Sequence, residues 1–298
     1  MKKHSGVVVP LLSPFTRNMK ADLQGLEKLL HFISTNDCHV FLLGTTGEGA
    51  SIPEAEKKKI VQAALKYRND RIKVYACVIS TCLESTLDSA REYGDMGVDA
   101  LAVPLPSYYT LSAAEMTKWY ETLAGQSPCP LLLYNIPATT HMSIPLEVAE
   151  LLSRHPNIEG IKDSEKGESR LSASLELWKD REDFSHLMGW AGASCEALAQ
   201  GSDGLVPSSA NLVPEIYQRL YQAMQKGDTA AGMEMQKMSD EVGRIYQEGK
   251  LLGESLAALK VLAAAKGLCE PHVMPPLQQL PEAEAERLRR RFADFISN

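Results

Sequence analysis

The chain has 298 residues, with 31 Lys and Arg against 38 Asp and Glu and 44% hydrophobic residues. That length suits either two ordinary domains or one large α/β barrel of about 250 residues, and a net charge of −7 argues against a nucleic-acid binder, which presents a basic surface to phosphates. No stretch approaches the ~18 apolar residues of a membrane span, and Cys38, Cys77, Cys82, Cys129, Cys195 and Cys269 form no CxxC pair, so they read as reduced thiols of a cytoplasmic protein.

The N-terminus has two lysines before an apolar run, but Pro10 and the shortness of Val7 to Leu12 make this a first strand, not the core of a signal peptide. Short apolar, β-branched runs then recur: GVVVPLL (6–12), HVFLLGT (39–45), IKVYACVI (72–79), ALAVPLP (100–106), PLLLYNIP (130–137), IEGIKDS (158–164), DFSHLMGW (183–190) and GLVPSS (204–209). Between them lie amphipathic segments with helix starts. Ser51, Pro53 and Glu54 open one around EAEKKKIVQAALKY, Ser112 with Glu115 makes a capping box before another, and Pro145 precedes LEVAELLSR.

Continuous apolar strands alternating with helices predict a parallel sheet covered on both faces. Eight βα units, with no GxGxxG after the first strand, favour a closed (β/α)8 TIM barrel over an open dinucleotide-binding sheet. From about residue 210 the pattern is purely helical, which predicts a barrel over residues 1–225 and a C-terminal helical extension over residues 226–298.

In such a barrel, chemistry belongs to residues at the C-terminal ends of the strands. The second run ends in GTTGEG (44–49), whose hydroxyls and backbone N–H groups suit an anion; the alternative is a plain tight turn, with Gly47 and Gly49 supplying unusual backbone angles. The sixth run carries Lys162. A buried ammonium is costly and its pKa falls, which helps an amine that must attack a carbonyl; the alternative is a rim ion pair with Asp163 or Glu165. The fifth run ends at Tyr134, 28 residues before Lys162 and hence on the neighbouring strand, where a phenol can carry protons or simply cap the core. The fourth ends in PSYY, leaving Tyr108 and Tyr109 as a substrate wall, rim aromatics or an oligomer contact. Together these ends suggest a class I aldolase or lyase acting on a 2-keto acid.

GTTGEG, VPLPSYY, YNIP and GIKDS, continuing through GLVPSSAN (204–211) into the helical tail, resemble the pyruvate-dependent class I aldolases that include N-acetylneuraminate lyase and dihydrodipicolinate synthase. The resemblance covers nearly the whole chain. It implies a TIM barrel, a homotetramer built as a dimer of dimers, and no metal or organic cofactor, since the lysine is the electron sink. By position, Lys162 matches the Schiff-base lysine and Tyr134 the proton-shuttling tyrosine. Thr45 matches a hydroxyl linking that tyrosine to a second one across the tight dimer, for which Tyr108 is the better candidate and Tyr109 the fallback. Thr45 and Thr46 match the carboxylate-binding pair, with Gly47 in the same turn, and Val206 matches an aliphatic residue against bound pyruvate. Ser208 and Ser164 match positions that often carry hydroxyls near the acceptor, and Gly189 opens the segment after the seventh strand.

Two departures bear on the substrate. Where dihydrodipicolinate synthases carry an arginine for the second substrate's carboxylate, this chain has Thr139; where sialic acid lyases read Gly-Tyr-Asp-Glu, it has Gly189-Trp190-Ala191-Gly192. Trp190 therefore either narrows the pocket or packs at its rim. The expectation is a lyase that cleaves a 2-keto acid to pyruvate and an aldehyde and is not a true dihydrodipicolinate synthase. A 2-keto-3-deoxy sugar acid dehydratase and a non-catalytic keto-acid-binding protein are the alternatives. The seven histidines form no HxH or HxxxH pair, so no metal site is expected. RLRRR (287–291) is a short basic patch flanked by glutamates, not a nucleic-acid site.

Overall fold

The computed structural model describes residues 3–297. Strands β1 (Gly6–Pro10), β2 (His39–Leu42), β3 (Val74–Cys77), β4 (Ala100–Pro104), β5 (Leu131–Asn135), β6 (Ile158–Asp163), β7 (Ser185–Met188) and β8 (Gly204–Leu205) form a closed barrel in chain order. Every pairing is parallel, and β8 closes on β1 through Gly6–Gly204 and Val7–Leu205. All eight runs read from the sequence yield strands, but most strands stop short of the run's end, because the final residues leave the ladder to form the mouth.

The helices are α1 (Leu23–Ser34), α2 (Glu54–Tyr67), α3 (Leu83–Met96), α4 (Ala113–Gln126), the single turn α5 (Pro137–Thr140), α6 (Leu146–Leu152), α7 (Glu168–Trp178), α8 (Ser194–Ala199) and α9 (Pro214–Gln225). The extension adds α10 (Thr229–Gln247), α11 (Leu252–Ala265) and α12 (Glu282–Ser297). The Ser112–Glu115 capping box forms as expected at α4. At α2 the expected opening by Ser51 is corrected: Pro53 occupies the N-cap position with no side-chain cap, and the Ser51 N–H bonds instead to the Glu48 carbonyl.

Because side chains alternate across a strand, the sheet splits the core in two. Val8, Phe41, Tyr75, Cys77, Ala100, Ala102, Leu132, Tyr134, Leu187 and Val206 pack together inside the barrel, and the larger cluster lies between sheet and helices. None of the described helices is long and apolar enough to cross a membrane.

Candidate active site

Alternation puts Tyr134 and Lys162 on the interior face at the barrel mouth, directly paired across β5 and β6. Lys162 is 4% exposed, and its Nζ lies 3.9 Å from the Tyr134 ring centre and 4.0 Å from that of Phe41. Burial pushes its pKa down from 10.5 to about 7. Cys77 is itself buried and pushed up to about 12, so it stays a neutral thiol.

The alternative of a rim ion pair fails on strand geometry. Asp163 is the next residue and therefore faces outward, where it takes the Arg170 guanidinium at 3.0 Å and the Asn135 amide at 2.8 Å. Glu165 takes the same Asn135 amide at 2.8 Å and the Ser143 hydroxyl at 2.5 Å. Among the described residues no carboxylate lies within ion-pairing distance of Lys162.

The Tyr134 phenol is 2% exposed. Burial raises its pKa above the usual phenol range, while hydrogen bonding with Thr45 and Ser164 works the other way. Its oxygen is 3.3 Å from Thr45 Oγ1. Lys162, Tyr134 and Thr45 are thus brought together by three separate strand ends.

Thr45, Thr46 and Gly47 occupy the tight turn after β2, closed by Glu48 N–H to Thr45 O at 3.1 Å and Gly49 N–H to Gly44 O at 3.1 Å. The N–H groups of Thr45, Thr46 and Gly47 donate to no protein acceptor among the described residues, as an anion site requires. The glycines do not act as the plain-turn reading supposed. The left-handed positions are Leu43 (φ 58°) and Glu48 (φ 57°), whereas Gly47 and Gly49 are needed for room. A Cβ at Gly47 would sit 2.8 Å from the Leu11 carbonyl oxygen, and one at Gly49 would overlap that of Leu43.

Two cavities open at the mouth. One, of about 530 Å³, is lined by Thr45, Glu48, Tyr134, Ile136, Thr139 and, from the extension, Leu252 and Leu256. The other, of about 540 Å³, is lined by Ser164, Gly189, Trp190 and Ser208 from the barrel and by Asp240 and Arg244 of α10. Trp190 therefore borders a cavity while also packing on the core. Gly189 leaves space for Ser164, whose Oγ a Cβ there would strike. Ser208 is committed in part to the extension, 2.8 Å from the Tyr246 hydroxyl. Val206 is buried in the interior layer beside Tyr134.

Tyr108 is not joined to this site within the chain. It is 77% exposed, stands edge-on to Tyr109, which is 74% exposed, and lies in a shallow depression with Leu83, Leu111 and Trp119. Sequence reasoning passed over Phe41, Cys77 and the residues of α10 and α11 that wall the cavities. Phe41 and Cys77 are ordinary strand residues in a sequence, and α10 and α11 lie far along the chain from the strand ends they face, Leu252 standing 207 residues after Thr45.

The dihydrodipicolinate synthetase family model matches residues 3–294. A 4-hydroxy-tetrahydrodipicolinate synthase of Methanospirillum hungatei is 29% identical over 288 residues, 95% of this chain and 97% of that protein. Another from Staphylococcus haemolyticus is 27% identical, covering 97% and 96%. Among solved structures, dihydrodipicolinate synthase of Bacteroides thetaiotaomicron superposes with a TM-score of 0.93 at 27% identity, covering 99% of each chain. YagE of Escherichia coli K12, solved in complex with pyruvate, shares the fold with a TM-score of 0.92 at 24% identity, again over 99% of each chain. With its closed barrel, its helical C-terminal part and a family match running almost end to end, the chain belongs to the dihydrodipicolinate synthetase family.

Proposed function

We propose that the protein is a Schiff-base lyase that cleaves a 2-keto acid to pyruvate and an aldehyde. The observation that carries this reading is Lys162: a buried amine with no carboxylate partner among the described residues, brought to about 7 by its surroundings, so that a substantial fraction is nucleophilic near neutral pH.

The substrate carboxylate rests on the unused N–H groups of the Thr45–Gly47 turn and on the hydroxyls of Thr45 and Thr46. Lys162 Nζ attacks C2, and the Tyr134 phenol gives its proton to the departing hydroxyl, so that water leaves and a protonated imine forms. The resulting phenolate is a strong base, because the same burial that raises its pKa opposes the charge. It takes the proton of the C4 hydroxyl while the C3–C4 electron pair moves toward the imine, which releases the aldehyde and leaves an enamine. Protonation at C3 and hydrolysis return pyruvate and the free amine. Proton transfer by a positioned phenol is worth about 10²–10⁴ in rate.

Thr45 extends the relay outward, and a second copy of the chain supplies Tyr108, whose ring is 77% exposed. This is the contact expected of a tight dimer within a tetramer. Val206 packs against the pyruvate methyl group, while Gly189, Ser164 and Ser208 border the acceptor. The synthase activity in the relatives' names is the weaker reading for this chain. Thr139 stands where an arginine is expected, and among the described residues no arginine or lysine lines the cavity it shares with Tyr134.

Incubation with pyruvate and borohydride is expected to place a reduced pyruvyl group on Lys162, read by peptide mass; an unmodified Lys162 ends the proposal. A panel of 2-keto-3-deoxy acids is then expected to yield pyruvate with an aldehyde. A dehydrated keto acid without aldehyde would move the chemistry to elimination.

A further inference from the structure

The turn that offers its N–H groups to a carboxylate is held from outside the barrel. Glu48 sits in the left-handed region at φ 57°, a conformation that costs a non-glycine residue free energy and persists only where the surroundings impose it. Its carboxylate meets Lys260 of α11 at 2.5 Å, with both side chains 0% exposed. The other carboxylate oxygen accepts the Met274 N–H at 2.6 Å. Lys260 Nζ also donates to the His272 carbonyl at 2.6 Å and lies 4.0 Å from the Phe15 ring centre.

One carboxylate therefore ties the turn both to α11 and to the 272–274 segment. The Glu48 N–H in turn closes the turn on Thr45 O, so a shift of Glu48 displaces the amides of residues 45–47. Leu256, about one helical turn before Lys260, lines the cavity that holds Thr45 and Tyr134. A buried ion pair is expensive to desolvate, and apolar residues of similar volume would fasten a helix to a barrel at least as well. The pair does what apolar residues cannot: it sets the orientation of one backbone turn.

We propose that Glu48 and Lys260 are positioning residues through which the C-terminal extension holds the Thr45–Gly47 amides in the shape that receives the substrate carboxylate. The inference rests on the reading of that turn as a carboxylate site and adds that the extension governs it.

The test compares wild type with the neutral double variant Glu48→Gln/Lys260→Met, which removes both charges and leaves neither alone. Borohydride trapping on Lys162 is titrated with pyruvate and, separately, with acetone, which has the carbonyl but no carboxylate. Half-saturation by pyruvate is expected to rise roughly tenfold or more, as displaced binding groups do elsewhere, while that for acetone stays near wild type. An unchanged pyruvate value, or an equal rise for both carbonyls, overturns the proposal. Failure of wild type to trap pyruvate at Lys162 would instead sink the lyase reading itself. If the double variant does not fold, wild-type hydrogen exchange decides. Coupling between sites is reciprocal, so saturating pyruvate is expected to slow exchange of the Met274 amide, and an unchanged rate overturns the proposal.

Discussion

Strands β5 and β6 carry opposite kinds of polar group on their two faces, made by consecutive residues. Tyr134 and Lys162 face inward, where the phenol meets the Thr45 and Ser164 hydroxyls and the amine lies against aromatic rings. Asn135 and Asp163 face outward into a web of Arg170, Glu165, Ser143 and the Ile144 backbone. The outer web places charge against charge and anchors the strand ends to the loop before α6 and to α7. The inner pair leaves an amine and a phenol in an apolar layer, where burial favours the neutral form of each. A buried polar group with partners builds structure; one without them is available for reaction.

Substitutions on the two faces should therefore separate rate from stability. The largest effect is expected inside. Tyr134→Phe keeps the ring and removes the proton carrier, and should lower kcat by about 10²–10⁴ with little change in melting temperature; a loss below tenfold would return Tyr134 to a packing role. On the outer face, Arg170→Met leaves Asp163 buried beside β6 without its cation and should cost about 3–5 kcal/mol, measured by urea unfolding. The trapping rate at Lys162 in the folded fraction should hardly move. A variant that folds as stably as wild type would show the web to be dispensable.

The smallest effect concerns the cost of the inner amine. Between pH 7 and 10.5 the unfolded chain holds a proton on Lys162 that the folded chain has released, so folding is least favourable below pH 7 and gains as pH rises toward 10.5. Lys162→Met should abolish trapping yet stabilise the fold by about 5 kcal/mol below pH 7, the gain vanishing toward pH 10.5. Unfolding titrations at pH 6 and 10 read this difference, and equal gains at both would mean that the amine carries no burial penalty.

Much of this arrangement is legible in the chain itself. Eight short, β-branched apolar runs alternate with capped helices and so favour a parallel barrel. The polar residues that interrupt the ends of those runs, Thr45, Tyr134 and Lys162, stand out because an interior strand has no other reason to hold them. What the spacing could not decide was whether Lys162 is paired. That depends on alternation within β6, whose exact register turns Asp163 and Lys162 to opposite sides. Nor could it foresee that the extension takes part in the site, since Glu48 and Lys260 are 212 residues apart and each alone reads as a surface charge. The sequence by itself determined the architecture and which candidate groups end the strands, because hydrophobic periodicity and residue chemistry are local properties. Only the tertiary structure decided which charges are satisfied, which cavity each side chain borders and which distant groups meet Glu48 beside the Thr45–Gly47 turn, because burial and pairing arise only when distant segments meet.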